Sequence, residues 1–126
     1  MRGPLGIDLD PDTPAVAQTA AAAEFYAMEA DYEAARLLTL QAAWMADNRK
    51  PNSLQASMAK AKAGRTAVDV ALACIELCGA TGYGEDELLE KWARDAKILD
   101  IFEGTQQIQL LIIARQLLGK TSAELK

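Results

Sequence analysis

The sequence predicts an all-α fold, an antiparallel four-helix bundle. Apolar residues recur at three- and four-residue steps through each long segment, and no segment alternates with the period of a strand. The breaks between segments are short clusters of proline, glycine and polar residues, and short connections favour antiparallel neighbours.

Residues 1–13 are dominated by Gly, Pro and Asp without periodicity and are expected to form an irregular arm. Thr13-Pro14 has the form of an N-cap followed by proline at the first helical position. The alanine-rich stretch beyond it has high helix propensity, so a long first helix is expected from about residue 14 to about residue 47. Its apolar positions are Tyr26, Ala27, Ala30, Ala34, Leu37, Leu38, Trp44 and Met45.

Pro51 ends that pattern, and Ser53 can cap a second helix over about 53–78. The stripe of that helix is Leu54, Met58, Ala61, Val68, Leu72 and Ile75. Arg65 interrupts the stripe, as a paired buried charge or as a side chain reaching out to water. Gly79, a natural C-cap, opens a glycine-rich turn. A third helix is expected over about 85–97, where Glu85, Asp86 and Glu87 suit the positive end of a helix dipole. Leu88, Leu89, Trp92, Ala93 and Ala96 would be its buried face. The last helix is expected from about Thr105 to Gly119, with Ile108, Leu111, Ile112 and Leu118 inward and a polar tail over 120–126.

Composition excludes several functions. With 126 residues the chain is one domain or part of one. Its net charge of −5 and its dispersed Lys and Arg residues argue against nucleic acid as a partner. No apolar run is long enough for a membrane span and no signal-peptide stretch is visible, so a cytoplasmic protein is expected. There is no histidine, which removes Ser-His and Cys-His catalysis and most zinc arrangements, and no metal site is expected. Acid–base work would fall to Glu, Asp, Lys, Tyr or Cys. Cys74 and Cys78, four apart on one helix, read as small packing residues with poor disulfide geometry.

Two segments could carry chemistry. Glu103 lies between the apolar run Ile98-Leu99-Asp100-Ile101-Phe102 and the start of the last helix. The helix N-terminus favours its anion, whereas apolar neighbours disfavour it by desolvation. A carboxylate held between these effects can serve as a general base. The same pattern also fits a plain helix start with Thr105 as N-cap. Gly104 would let the backbone approach a ligand, and Thr105, Gln106 and Gln107 offer neutral hydrogen-bonding groups at the helix start. The second segment, Gly79-Ala80-Thr81-Gly82-Tyr83-Gly84, follows a helix rather than a strand and so is no dinucleotide fingerprint.

Taken together these segments form an ordered series. Glu76-Leu77-Cys78-Gly79-Ala80-Thr81-Gly82-Tyr83 is followed by Glu90-Lys91 and Arg94-Asp95-Ala96-Lys97-Ile98. Ile101-Phe102-Glu103-Gly104-Thr105 and Gln107-Ile108-Gln109 come next. Upstream lie Glu33-Ala34-Ala35-Arg36-Leu37-Leu38 and Ala42-Ala43-Trp44. Over roughly residues 24–118 the chain resembles the C-terminal helical domain of the acyl-CoA dehydrogenases. Glu76 stands where that family has Gln, and Ala80 where it has a second Gly.

The resemblance implies flavin-dependent α,β-dehydrogenation of an acyl-CoA thioester, as in fatty acid metabolism. Glu103 matches the base that takes the α-proton, and its backbone N–H matches a group that helps hold the thioester carbonyl. Phe102 and Gly104 match residues lining the acyl thioester, and Thr105 and Gln107 match residues near FAD. Glu76, Gly79 and Ala80 match a turn that reaches FAD held mainly by a neighbouring subunit. Arg94, Asp95 and Arg115 read as ion-pair or helix-end groups. The implied partners are the acyl-CoA and further copies of the chain, as in a homotetramer, or a chain supplying the missing domains. An electron-transfer flavoprotein is one acceptor the resemblance allows. Family members also carry an N-terminal helical domain and a middle β-domain not recognisable here, so residues 14–119 are expected to be an incomplete domain that does not turn over alone. A non-catalytic helical assembly module derived from the family is the alternative expectation.

Overall fold

The structure is a computed structural model that describes residues 19–121, 123 and 124. The described chain is helical, in the order α1 (Ala20–Asp47), α2 (Ser53–Cys78), α3 (Ala80–Tyr83), α4 (Leu89–Leu99) and α5 (Gln106–Leu118). Four of these are the expected long helices; the remaining one, α3, is a single turn inside the glycine-rich connection.

Helix α1 starts at Ala20. Thr19 has extended backbone angles, and its hydroxyl accepts from the Ala22 N–H at 3.1 Å, satisfying one of the free donors of the first turn. The expected helix therefore does not run unbroken through Thr19; the Thr13-Pro14 signal, residues 14–18 and the arm over 1–13 lie outside the described residues. Ala22, Ala35 and Ala42 are buried, whereas Tyr26, Leu37 and Trp44, expected on the inner face, are exposed. The reason is size: alanine lets α1 approach α2 closely, and the larger side chains turn outward. Asp31 with Lys62 (2.6 Å) and the Asn52 amide donating to the Ala42 carbonyl (3.0 Å) fasten the two helices together. Asn52, rather than Ser53, occupies the N-cap position of α2.

Helix α2 is the hub, with α1, α4 and α5 each packed on it and none of the three packed on another. A helix approached from three sides needs small residues on several faces. Ser57, Ala59, Ala61, Gly64 and Thr66 are buried along with Val68 and Ile75. At Gly64 a Cβ would lie 3.0 Å from the Leu99 carbonyl oxygen, so glycine permits the close crossing of α2 and α4. Arg65 combines the two expected roles. Its side chain is half exposed, yet it reaches within 3.6 Å of the buried Asp100 carboxylate.

Helix α4 begins at Leu89, not near residue 85. Leu88 takes a left-handed conformation (φ 59°), which cannot continue a helix, and leaves Glu85, Asp86 and Glu87 in the connection. Along α4, Arg94 pairs with Glu90 at 2.9 Å and Lys91 with Asp95. In α5, Leu111 and Ile112 are partly buried as expected, Ile108 and Leu118 are exposed, and Gln109 is buried in their stead.

Among the described residues no large side chain is completely buried, because the core is built from alanine and other small groups. Much apolar surface therefore stays outside. It gathers in an open groove of about 940 Å³ between α1, α2 and α4, where Phe25, Tyr32, Leu40, Val70, Trp92 and Leu99 line the walls. No helix among the described residues is long and apolar enough to cross a membrane.

Candidate active site

The segment between α4 and α5 is short and tightly bonded. As α4 ends, Asp100, Ile101 and Phe102 donate their N–H groups back to the carbonyls of Lys97 and Ile98. Glu103 (φ 53°) and Gly104 (φ 95°) then both adopt positive φ and reverse the chain. The Gln106 N–H closes the turn on the Asp100 carbonyl at 2.9 Å. Thr105 is the N-cap of α5, its hydroxyl accepting from the Ile108 N–H at 3.3 Å. The helix-start role of Thr105 is thus real, but Glu103 lies two residues ahead of the cap, outside the helix. We expect Thr105→Ala to cost about 0.5–2 kcal/mol of stability; a thermal unfolding curve unchanged from that of the parent chain would show that the cap contributes nothing.

A left-handed backbone at a residue with a Cβ costs about 1–3 kcal/mol and persists only where its surroundings impose it. Two side chains from outside the turn do so. The Gln109 amide donates to the Glu103 carbonyl at 3.1 Å. The Lys60 ammonium, from α2, donates to the Gly104 carbonyl at 2.6 Å. Beneath the turn the Asp100 carboxylate is buried and paired with Lys97 at 3.0 Å. Sequence reasoning assigned none of these three residues. The carbonyl that Lys60 reaches is 44 residues away, and Gln109 resembles any polar residue of a helix until its burial is known.

The turn brings Phe102, Glu103, Gly104, Thr105 and Gln107 together beside α2. Glu103 and Gln107 are exposed, and Phe102 and Ile101 are half exposed, so the apolar surroundings expected for the carboxylate are open. The groove does not include this turn. Glu76, Gly79 and Ala80 lie elsewhere. Lys60 touches the Glu103 turn, and Glu76 is sixteen residues further along the same helix, about 24 Å at 1.5 Å per residue. The two groups of candidate residues are therefore separate. Gly79 (φ 58°) is exposed, and a Cβ there would meet nothing within 4 Å, so a ligand has free access to its backbone. Gly82 is the opposite case: it is buried, and a Cβ would lie 2.7 Å from the Ile75 carbonyl oxygen.

Both cysteines are free, and burial pushes the Cys74 thiol up from its ordinary value, away from nucleophilic character. Among the described residues no three or more Cys, Asp or Glu side chains are grouped to hold a metal ion.

This arrangement defines a class: a helical domain that presents a carboxylate on a braced, left-handed turn. A family model described as acyl-CoA dehydrogenase, C-terminal domain, matches residues 10–118. The chain belongs to the acyl-CoA dehydrogenase family, through that domain. It is 43% identical over 86 residues to the mitochondrial short-chain specific acyl-CoA dehydrogenase of Rattus norvegicus, a match covering 68% of this chain and 21% of the relative. Among solved structures it resembles the butyryl-CoA dehydrogenase of Megasphaera elsdenii, with a TM-score of 0.78, 29% identity, and coverage of 90% of this chain and 33% of that one. A chain from a structure described as the electron transferring flavoprotein of Acidaminococcus fermentans aligns with a TM-score of 0.74 and 37% identity, over 77% of this chain and 26% of that one. The chain thus spans about a fifth to a third of the length of these relatives.

Proposed function

We propose that this chain is the base-carrying C-terminal portion of a flavin-dependent acyl-CoA dehydrogenase, with residues 14–119 as the functional unit. The observation that carries the proposal is Glu103, an exposed carboxylate on a turn whose backbone is fixed from two helices, within a family named for acyl-CoA dehydrogenation. A base must be held in place before it can act, and the backbone that carries this carboxylate is held.

In the proposed reaction the thioester carbonyl lies against the Glu103 N–H, which stabilises developing enolate charge and acidifies the α-carbon. The Glu103 carboxylate takes the α-proton. FAD, when bound, would supply the acceptor for the β-hydrogen and its electron pair, so that a double bond could form between the α- and β-carbons. Phe102 and Gly104 border the acyl thioester. Thr105 and Gln107 would lie beside the flavin that serves this Glu103.

Glu76, Gly79 and Ala80 would lie against a different flavin. Their separation from the turn supports this reading, as does the open backbone at Gly79. The Glu76 carboxylate would repel a pyrophosphate at close range, so contact there falls to the Gly79 and Ala80 backbone. The unit is thereby a partial site; further copies of itself can assemble with it, but a flavin-loaded assembly that turns over also needs a chain carrying the remaining domains. An electron-transfer flavoprotein is the proposed acceptor.

The groove supports the same reading. Family relatives are several times longer, and an apolar surface of this size is covered in a finished protein. It also favours a second reading, a helical assembly module without chemistry. Flavin separates the two: a yellow oligomer supports the enzyme, whereas a colourless, stable oligomer supports the module. We expect the purified 126-residue chain, mixed anaerobically with FAD and an acyl-CoA, to leave the flavin oxidised. Bleaching would overturn the partial-site reading.

A further inference from the structure

We propose that Lys60 and Gln109 are positioning residues that hold Glu103 in its left-handed conformation, and so aim its carboxylate; this rests on Glu103 being the base. Two adjacent carbonyls, those of Glu103 and Gly104, accept from side chains of two different helices. The donors are the Gln109 amide of α5 at 3.1 Å and the Lys60 ammonium of α2 at 2.6 Å. These carbonyls belong to the two residues at which the chain reverses, at φ 53° and φ 95°. Rotating either residue back to ordinary negative φ would swing its carbonyl off its donor.

Gln109 is 8% exposed and is packed directly over the turn: a Cβ at Gly104 would lie 2.6 Å from its amide nitrogen. Burial fixes its rotamer, which a surface glutamine would not have. Lys60 supplies a charge-assisted bond, stronger than a neutral one, and directs it at a backbone oxygen instead of a carboxylate. Its helix is the hub of the domain, so the base is referred to the same frame as every other helix. Neither side chain extends to the Glu103 carboxylate in these bonds; both act through the backbone that carries it.

The test uses isotope-labelled 126-residue chain and reads the Glu103 Cα and Cβ shifts with its HN–Hα coupling, which together distinguish a left-handed residue from a helical or extended one. Wild-type chain is expected to show the left-handed pattern. Lys60→Met and Gln109→Leu are expected to lose it while the far-ultraviolet helical signal is kept, and Lys60→Arg, which retains a charged donor, is expected to restore it. An unchanged Glu103 pattern in both folded variants would overturn the proposal. So would a wild-type chain in which Glu103 has ordinary negative φ, a result that needs no variant to fold.

In the flavin-loaded assembly, Lys60→Met is expected to lower kcat by on the order of 10²-fold, as a misplaced catalytic group does, with the KM for acyl-CoA little changed. Lys60→Arg should recover most of the loss. An equal fall in both Lys60 variants would contradict positioning by the charged donor. Failure of the underlying reading is separable: Glu103→Gln would then leave activity intact, whatever its backbone conformation.

Discussion

Glu103→Gln, introduced into the flavin-loaded assembly, is expected to lower acyl-CoA dehydrogenation by about 10²–10⁴-fold, the usual contribution of a positioned general base. Glutamine has nearly the same shape but does not take a proton at neutral pH. The substitution should leave the turn standing, because the bonds that hold it fall on backbone carbonyls: Gln109 to Glu103 and Lys60 to Gly104. Glu103 is exposed and outside α5, so helix stability should be nearly unchanged. Loss of turnover with an unaltered unfolding curve is the expected pair of results. A variant retaining most of its kcat would remove Glu103 from the role of base.

The second large effect is on stability. Gly82→Ala is expected to destabilise the chain by about 1–3 kcal/mol, the range for forcing extra volume into a packed site. A Cβ there would sit 2.7 Å from the Ile75 carbonyl oxygen and 2.9 Å from its Cα. These are backbone atoms of α2, so no side-chain rotation relieves the clash. Gly79→Ala meets no neighbour, and its cost comes from the positive φ alone. Thermal or urea unfolding should therefore rank Gly82→Ala below wild type by a clear margin. An unchanged midpoint would mean that the Ala80–Tyr83 turn does not pack on α2 as described.

These two positions mark what the sequence disclosed and what it did not. Helical periodicity and the proline and glycine breaks located the four long helices, because those signals are local. The break at Thr19 was missed because a lone threonine in an alanine-rich run gives no strong cap signal, and the start of α4 because nothing local announces a left-handed Leu88. The inner faces were misjudged for α1 on a general ground. Large apolar residues normally mark the core, but here Ala22, Ala35 and Ala42 are inside and Trp44 is outside. Close helix approach selected small residues, and the groove between α1, α2 and α4 accounts for several of the large ones left exposed.

At the candidate site the motif containing Glu103 was legible, and so was the capping role of Thr105. The braces were not. Lys60 and Gln109 act on backbone carbonyls, which have no residue identity for a spacing rule to recognise. The distance between the glycine turn and the Glu103 turn was also hidden, since only the length of α2 between Lys60 and Glu76 reveals it. That distance sets Glu76, Gly79 and Ala80 apart from the Glu103 turn as a separate group of candidate residues.

The most direct test of the central claim follows the α-proton itself. The flavin-loaded assembly is incubated anaerobically in D₂O with an acyl-CoA analogue that ionises at the α-carbon and does not pass a hydride. Deuterium entry at that carbon is then read by NMR or mass spectrometry. If Glu103 is the base, wild type introduces deuterium and Glu103→Gln, equally loaded with flavin and analogue, does not. Equal incorporation by both proteins would contradict the account.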